Sequence, residues 1–161
     1  MKIKWFWLFG LAFVVIACSQ KGQATLGFKD PADSANTSRA EKLSGKTEKA
    51  WQIKSFTVDG QDMLAGLKSC ELDNLDVYYA SGVYESHEGN TKCNPADQDI
   101  RRRGKWALNE DSTSVDVKLG NSWVSLKILE LSDQKFHYTS INKGHVTEAV
   151  LTAADASKKQ D

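Results

Sequence analysis

From Trp51 onward apolar and polar side chains alternate, and β-branched and aromatic residues dominate, which is the pattern of half-buried strands. Trp51–Phe56 is the first such run, ended by Asp59-Gly60, and Met63–Lys68 has room for one helical turn. Asp76–Ala80 and Val83–His87 flank a Ser81-Gly82 turn. Arg103–Asn109 follows, and Asp111-Ser112 turns the chain into Thr113–Leu119, where Val115, Val117 and Leu119 share one face. Gly120-Asn121 leads into Ser122–Leu131, then comes Lys135–Ile141, and after Asn142-Lys143-Gly144 a last strand at Val146–Ala153. In Ser122–Leu131 the apolar positions switch face between Ile128 and Leu129, which predicts a β-bulge. Short strands joined by tight turns, without strand-helix-strand alternation, predict an all-β antiparallel up-and-down meander. About eight such strands can close into a barrel and so remove their exposed edges. A barrel of that size is filled by side chains or holds one small ligand.

The start of the chain has a different character. Lys2 and Lys4 precede an unbroken apolar run, Trp5–Ala17. That run is too short for a bilayer core, which needs about 20 helical residues, and it suits the apolar region of a secretory signal peptide. Val15-Ile16-Ala17-Cys18 resembles the lipobox of bacterial lipoproteins. The resemblance implies cleavage before Cys18, diacylglycerol on its sulfur, and acylation of the new amino terminus with a chain such as palmitate. Several acyl chains at one residue make a durable membrane anchor. Ser19 stands where an Asp would resemble an inner-membrane retention signal, and Gln20-Lys21-Gly22-Gln23 lacks an acidic surface-export cluster. The expected address is therefore the outer membrane, facing the periplasm.

Between Cys18 and Lys49 the chain is rich in Ser, Thr, Ala, Gly, Lys and Asp, with few large apolar residues beyond Leu26, Phe28 and Leu43. Such a stretch buries too little surface to offset the entropy of ordering. It is expected to be a flexible tether, with room for a short helix in Ser38–Lys49. The division is then 1–17 signal peptide, 18–49 lipidated Cys and tether, 50–154 barrel domain and 155–161 polar, frayed tail.

The length of 161 residues allows one domain with an appendage. Lys plus Arg and Asp plus Glu are both 21, so the net charge is zero, which argues against a broad nucleic-acid surface. With Cys18 committed to lipid, Cys70 and Cys93 remain as an even pair in an oxidising compartment, which predicts a disulfide. Its chain-entropy contribution is about 3 kcal/mol. A metal site using His87 of Glu85-Ser-His87-Glu88 is the alternative, but no C-x-x-C spacing supports it.

Several motifs then agree in order: Trp51, Cys70-Glu-Leu-Asp73, Val77-Tyr78-Tyr79…Gly82-Val83-Tyr84, Cys93, Gly104-Lys-Trp106-Ala-Leu108, and Val124 through Leu131. Over about 51–152 the chain resembles the small lipocalin-like lipoproteins of Bacteroidetes-type bacteria. In lipocalins proper a Gly-x-Trp opens the first strand. Here Lys49 stands in the place of that Gly, and the Gly-x-Trp lies at 104–106. The resemblance implies a lipidated envelope protein with a binding cavity.

The inward, candidate cavity-lining set is Trp51, Trp106, Leu108, Val115, Val117, Leu126, Ile128, Phe136 and Tyr138. Arg101-Arg102-Arg103 is the sharpest charge feature. It reads as a weak anion site or as a solvated loop balanced by Asp97 and Asp99. His87, His137 and His145 belong to no hydrolase or metalloprotease motif and are expected on the surface. The function expected is a membrane-anchored, non-enzymatic module, without cofactor, that holds a small apolar ligand. A solid-core interaction or structural lipoprotein is the alternative.

Overall fold

The computed structural model describes residues 31–158, with side chains from Ser38. Strand β1 (Glu48–Val58) ends at the Asp59-Gly60 turn, where Asp59 (φ 49°) and Gly60 (φ 80°) both take left-handed backbone. The two-residue β2 (Gln61–Asp62) pairs back onto it. A 3₁₀ turn (Leu64–Gly66) and a one-turn helix α2 (Ser69–Leu72) lead to β3 (Leu75–Tyr79) and β4 (Val83–His87). A loop runs to β5 (Ile100–Leu108), and hairpins then connect β6 (Ser114–Leu119), β7 (Ser122–Leu131), β8 (Lys135–Asn142) and β9 (His145–Ala154).

Every pairing is antiparallel, and β1 pairs with both β3 and β9, from Ala50↔Ala154 to Val58↔Thr147 on the β9 side. The sheet therefore closes as an eight-stranded up-and-down barrel of lipocalin-like architecture, with β2 as an extra strand beside it. The predicted all-β meander and its order are observed. The predicted bulge is present too, since the β7–β8 register shifts between Ile128 and Glu130. It leaves Leu129 outside while Ile128 and Leu131 pack on the core.

Helix α1 (Pro31–Ser44) is where the structure departs most from the pattern. Its last turn closes one barrel end: Leu43 is 0% exposed and belongs to the core cluster. The Trp51 indole donates to the Leu43 carbonyl at 2.8 Å, and Arg39 donates to the Ser112 carbonyl, in the β5–β6 turn, at 2.6 Å. Gly45 (φ 64°) ends the helix, its N–H on the Glu41 carbonyl at 2.7 Å. The short helix expected within Ser38–Lys49 is thus present, but it starts earlier and its end plugs the barrel rather than belonging to a tether, and 48–49 already begin β1. One large apolar side chain suffices to seal a hole, and so leaves no periodic signal. Cys18 and the rest of 1–30 lie outside the described residues.

The half of the barrel under α1 is packed with aromatic rings. Trp51 packs on Phe136 (5.9 Å between centroids), and Tyr78 meets both Trp106 (5.8 Å) and Phe136 (6.1 Å) at steep angles. The Trp106 indole is satisfied by the Tyr79 carbonyl at 2.9 Å. A second small cluster, Ala50, Leu75 and Val77, lies outside the wall, covered by Tyr79, Ala154 and Ala156. Ala156 belongs to a 3₁₀ turn, Ala156–Lys158, so this part of the expected frayed tail packs on that cluster. Because of that cover, β3 is buried on both faces. At Gly104 a β-carbon would collide with the Lys118 carbonyl, so only glycine lets β5 pass that close to β6.

Candidate ligand cavity

Two rows of inward positions cross β3, β4 and β5 in register. One is Asp76↔Ser86↔Arg102, and the next is Tyr78↔Tyr84↔Gly104. Gly104 adds no side chain to the second row, and the place of its missing β-carbon is taken by the Lys118 carbonyl of β6. The strands flanking this wall and beyond it add apolar side chains: Ile53 and Phe56 from β1, Val117 and Leu119 from β6, and Val124 and Leu126 from β7. Together with Tyr138 these enclose a cavity of about 400 Å³, in the range of small-molecule sites. It lies away from α1: the α1-contacting turn holds Ser112, whereas Leu119 and Val124 flank the Gly120-Asn121 turn at the other end. The cavity therefore opens at the barrel end opposite α1.

Asp76 is the polar centre of this space. It is enclosed by the barrel wall yet keeps surface on the cavity. The Tyr84 hydroxyl donates to its Oδ1 at 2.7 Å, and Ser86 also hydrogen-bonds to it. Burial pushes the Asp76 carboxyl above the usual range, against the two hydroxyl donors and the more distant Arg102 and Arg101 charges. Burial, aided by the Asp76 charge, also raises the phenols of Tyr78, Tyr84 and Tyr138, so all three stay neutral donors.

One side of the mouth is tied down. The predicted disulfide is present: Cys70 of α2 bonds Cys93 of the β4–β5 loop, with the Cα atoms 5.2 Å apart. Both thiols are thereby consumed, which removes the metal alternative at this pair. The Asn74 amide is oriented with its nitrogen towards the Cys70 carbonyl (3.2 Å) and Glu88 (3.1 Å), and its oxygen accepts from Arg101. Thr91 N–H donates to Asp73 at 3.0 Å, across the same junction.

The three arginines do not form one anion site. They lie on β5 rather than in a loop; Arg102 and Arg103 point to opposite faces by strand alternation, and a register shift next to His87 leaves Arg101 without a partner position. Arg101 pairs with buried Glu88 at 3.0 Å. Arg102 stands in the cavity row, exposed at the mouth, and makes no direct ion pair among the described residues. Arg103 lies on the outer face and reaches Glu85 at 2.6 Å. Glu85 also accepts from Tyr79 (2.9 Å) and contacts His87 Nε2 (2.8 Å). Burial would raise the Glu85 carboxyl, but His87, Tyr79 and Arg103 outweigh it and hold it below its ordinary value.

His87, expected on the surface, is buried at 3% exposure within this outer cluster. Leu75 and Val77, its neighbours across the sheet, are themselves covered, so the polar pattern Glu-Ser-His-Glu misled. His137 and His145 are, as expected, outward, hydrogen-bonded to Glu148 and Asp59 at 2.7 Å each. No three His, Cys, Asp or Glu side chains group as a metal site among the described residues.

Of the predicted cavity set, Val117, Leu126 and Tyr138 line the space. Trp51, Trp106, Val115 and Phe136 instead fill the solid half, and Leu108 and Ile128 pack against it. All nine face inward, but alternation does not say at which height the barrel is empty. The sequence reasoning missed Asp76, Ser86 and Tyr84. A usable signal existed: Asp76, Tyr78, Tyr84 and Ser86 sit at alternate positions of two paired strands. No protein-family model matches the chain, and no curated protein matches it.

Proposed function

We propose that this chain is a lipid-anchored envelope protein of the lipocalin-like lipoprotein kind, whose barrel holds a small, mostly apolar molecule. The observation that carries the reading is the cavity of about 400 Å³ at the barrel end opposite α1, apolar on one wall and hydroxyl-rich on the other. A solid base gives such a site a rigid floor, which lowers the ordering cost of binding. The Val15-Ile16-Ala17-Cys18 motif supports lipidation at Cys18, and the disulfide accords with an oxidising compartment. The reading assigns no catalytic step and no cofactor.

Two experiments test it. Cells fed labelled palmitate should label the chain, and Cys18→Ala should abolish the label. Native mass spectrometry of detergent-free protein should show a reproducible adduct that is lost when Val124→Trp fills the cavity. A bare mass throughout would turn the reading to the alternative, a lipoprotein that works by contacting an envelope partner.

A further inference from the structure

We infer that the cavity accepts a ligand carrying a protonated amine, with Asp76 as its counter-ion and the tyrosine rings around the ammonium group. This rests on the reading of the barrel as a ligand carrier and specifies the chemistry of what it carries.

Asp76 faces the cavity and makes no ion pair among the described residues; its partners are the hydroxyls of Tyr84 and Ser86. A carboxylate offers about four acceptor positions, so two donors leave capacity on the cavity side. An enclosed carboxylate without a counter-ion is unfavourable by itself, and a residue of that kind in a cleft is a candidate for binding. Tyr78, Tyr84, Tyr138 and Phe56 line the same space, and aromatic faces attract cations. Val117, Val124 and Leu126 form an apolar wall suited to the ligand's hydrocarbon body.

The other charges around the space do not replace that counter-ion. Arg101 is committed to Glu88 and Asn74. Arg102 is one position beyond Ser86 but exposed, so water and salt screen it. Glu71, also on the lining, accepts the Lys68 N–H at 2.9 Å at the rim. The enclosed charge is thus negative and the exposed ones are mixed. Asp76 lies deepest among them, so its attraction for a bound charge is screened least.

The test uses the full chain with its disulfide intact and three probes of one shape: phenylpropylammonium, phenylpropanol and phenylpropionate. The ammonium should bind tighter than the alcohol by about tenfold or more, as a charge-assisted hydrogen bond in an enclosed site does. Asp76→Asn should remove that preference, with the ammonium losing about tenfold more affinity than the alcohol. In the wild-type protein the ammonium should also move the Asp76 carboxyl carbon titration to lower pH, a readout that needs no variant. Tightest binding by the carboxylate, lost in Arg102→Ala, would overturn the inference in favour of an anion carrier. Equal binding of all three, indifferent to Asp76→Asn, would overturn it while leaving the cavity reading intact. No binding of any probe would overturn both.

Discussion

The indole N–H of Trp51 donates to the main-chain carbonyl of Leu43 at 2.8 Å, and both residues are fully buried. Together with the Lys49 ammonium, which donates to the Lys42 carbonyl at 2.8 Å, this bond joins the plug helix to the first barrel strand. Leu43 and Ser44 are the last residues of α1, where carbonyls lack helical partners, so the indole satisfies a group that would otherwise be unpaired inside the protein. Leu43→Ala should cost about 2–5 kcal/mol by cavity formation. Trp51→Phe should cost about 1–3 kcal/mol through the orphaned carbonyl, beyond its packing loss. Urea unfolding measures both, and a near-zero Leu43→Ala effect would show that α1 does not seal the barrel in solution.

The disulfide holds α2 against the β4–β5 loop at the cavity mouth. Replacing Cys70 and Cys93 together with Ser should lower stability by about 3 kcal/mol. Hydrogen exchange should rise in 88–99 and leave β6–β8 unchanged. Uniform loosening would contradict a local clamp.

Gly104→Ala drives a β-carbon into the Lys118 carbonyl and should destabilise by about 1–3 kcal/mol. Gly66→Ala, which meets open space without a left-handed backbone, is the matched control and should be close to neutral. Equal thermal shifts for the two would show that the close β5–β6 approach is not needed.

Asp76 and Glu85 predict opposite pH effects. The folded Asp76 carboxyl lies above its unfolded value, so stability falls as pH rises from the ordinary carboxylate range through the raised one. Asp76→Asn should therefore stabilise the protein at neutral pH and remove that fall. The folded Glu85 carboxyl is depressed, so its contribution is present above the ordinary carboxylate range and is lost as pH falls through the folded value. The Arg103 side chain is 66% exposed, so its share of that contribution is screened and small. Glu85→Gln should flatten the acid limb of the stability profile. Variants whose profiles superimpose on wild type would refute these assignments.

Strand number, order, turns, the bulge after Ile128 and the Cys70–Cys93 bond were legible in the sequence. Each depends on near neighbours or on counting: period-two alternation, turn residues with left-handed backbone, one apolar step out of phase, an even pair of cysteines. Sequence alone also determined which side of β6, β7 and β8 faces inward, because their other side meets water and is polar.

Only the tertiary structure decided the rest. It placed Leu43 in the core, since a single plugging side chain has no period. It decided between the two phases of β3, because alternation puts Asp76 with Tyr78 on one face while the covered Leu75 and Val77 make the other face apolar as well. It set Arg101 apart from Arg102 and Arg103 through a register shift that adjacency in the chain does not reveal. It decided where the barrel is empty, because that depends on the summed volumes of side chains from all eight walls and on one helix end closing a single mouth.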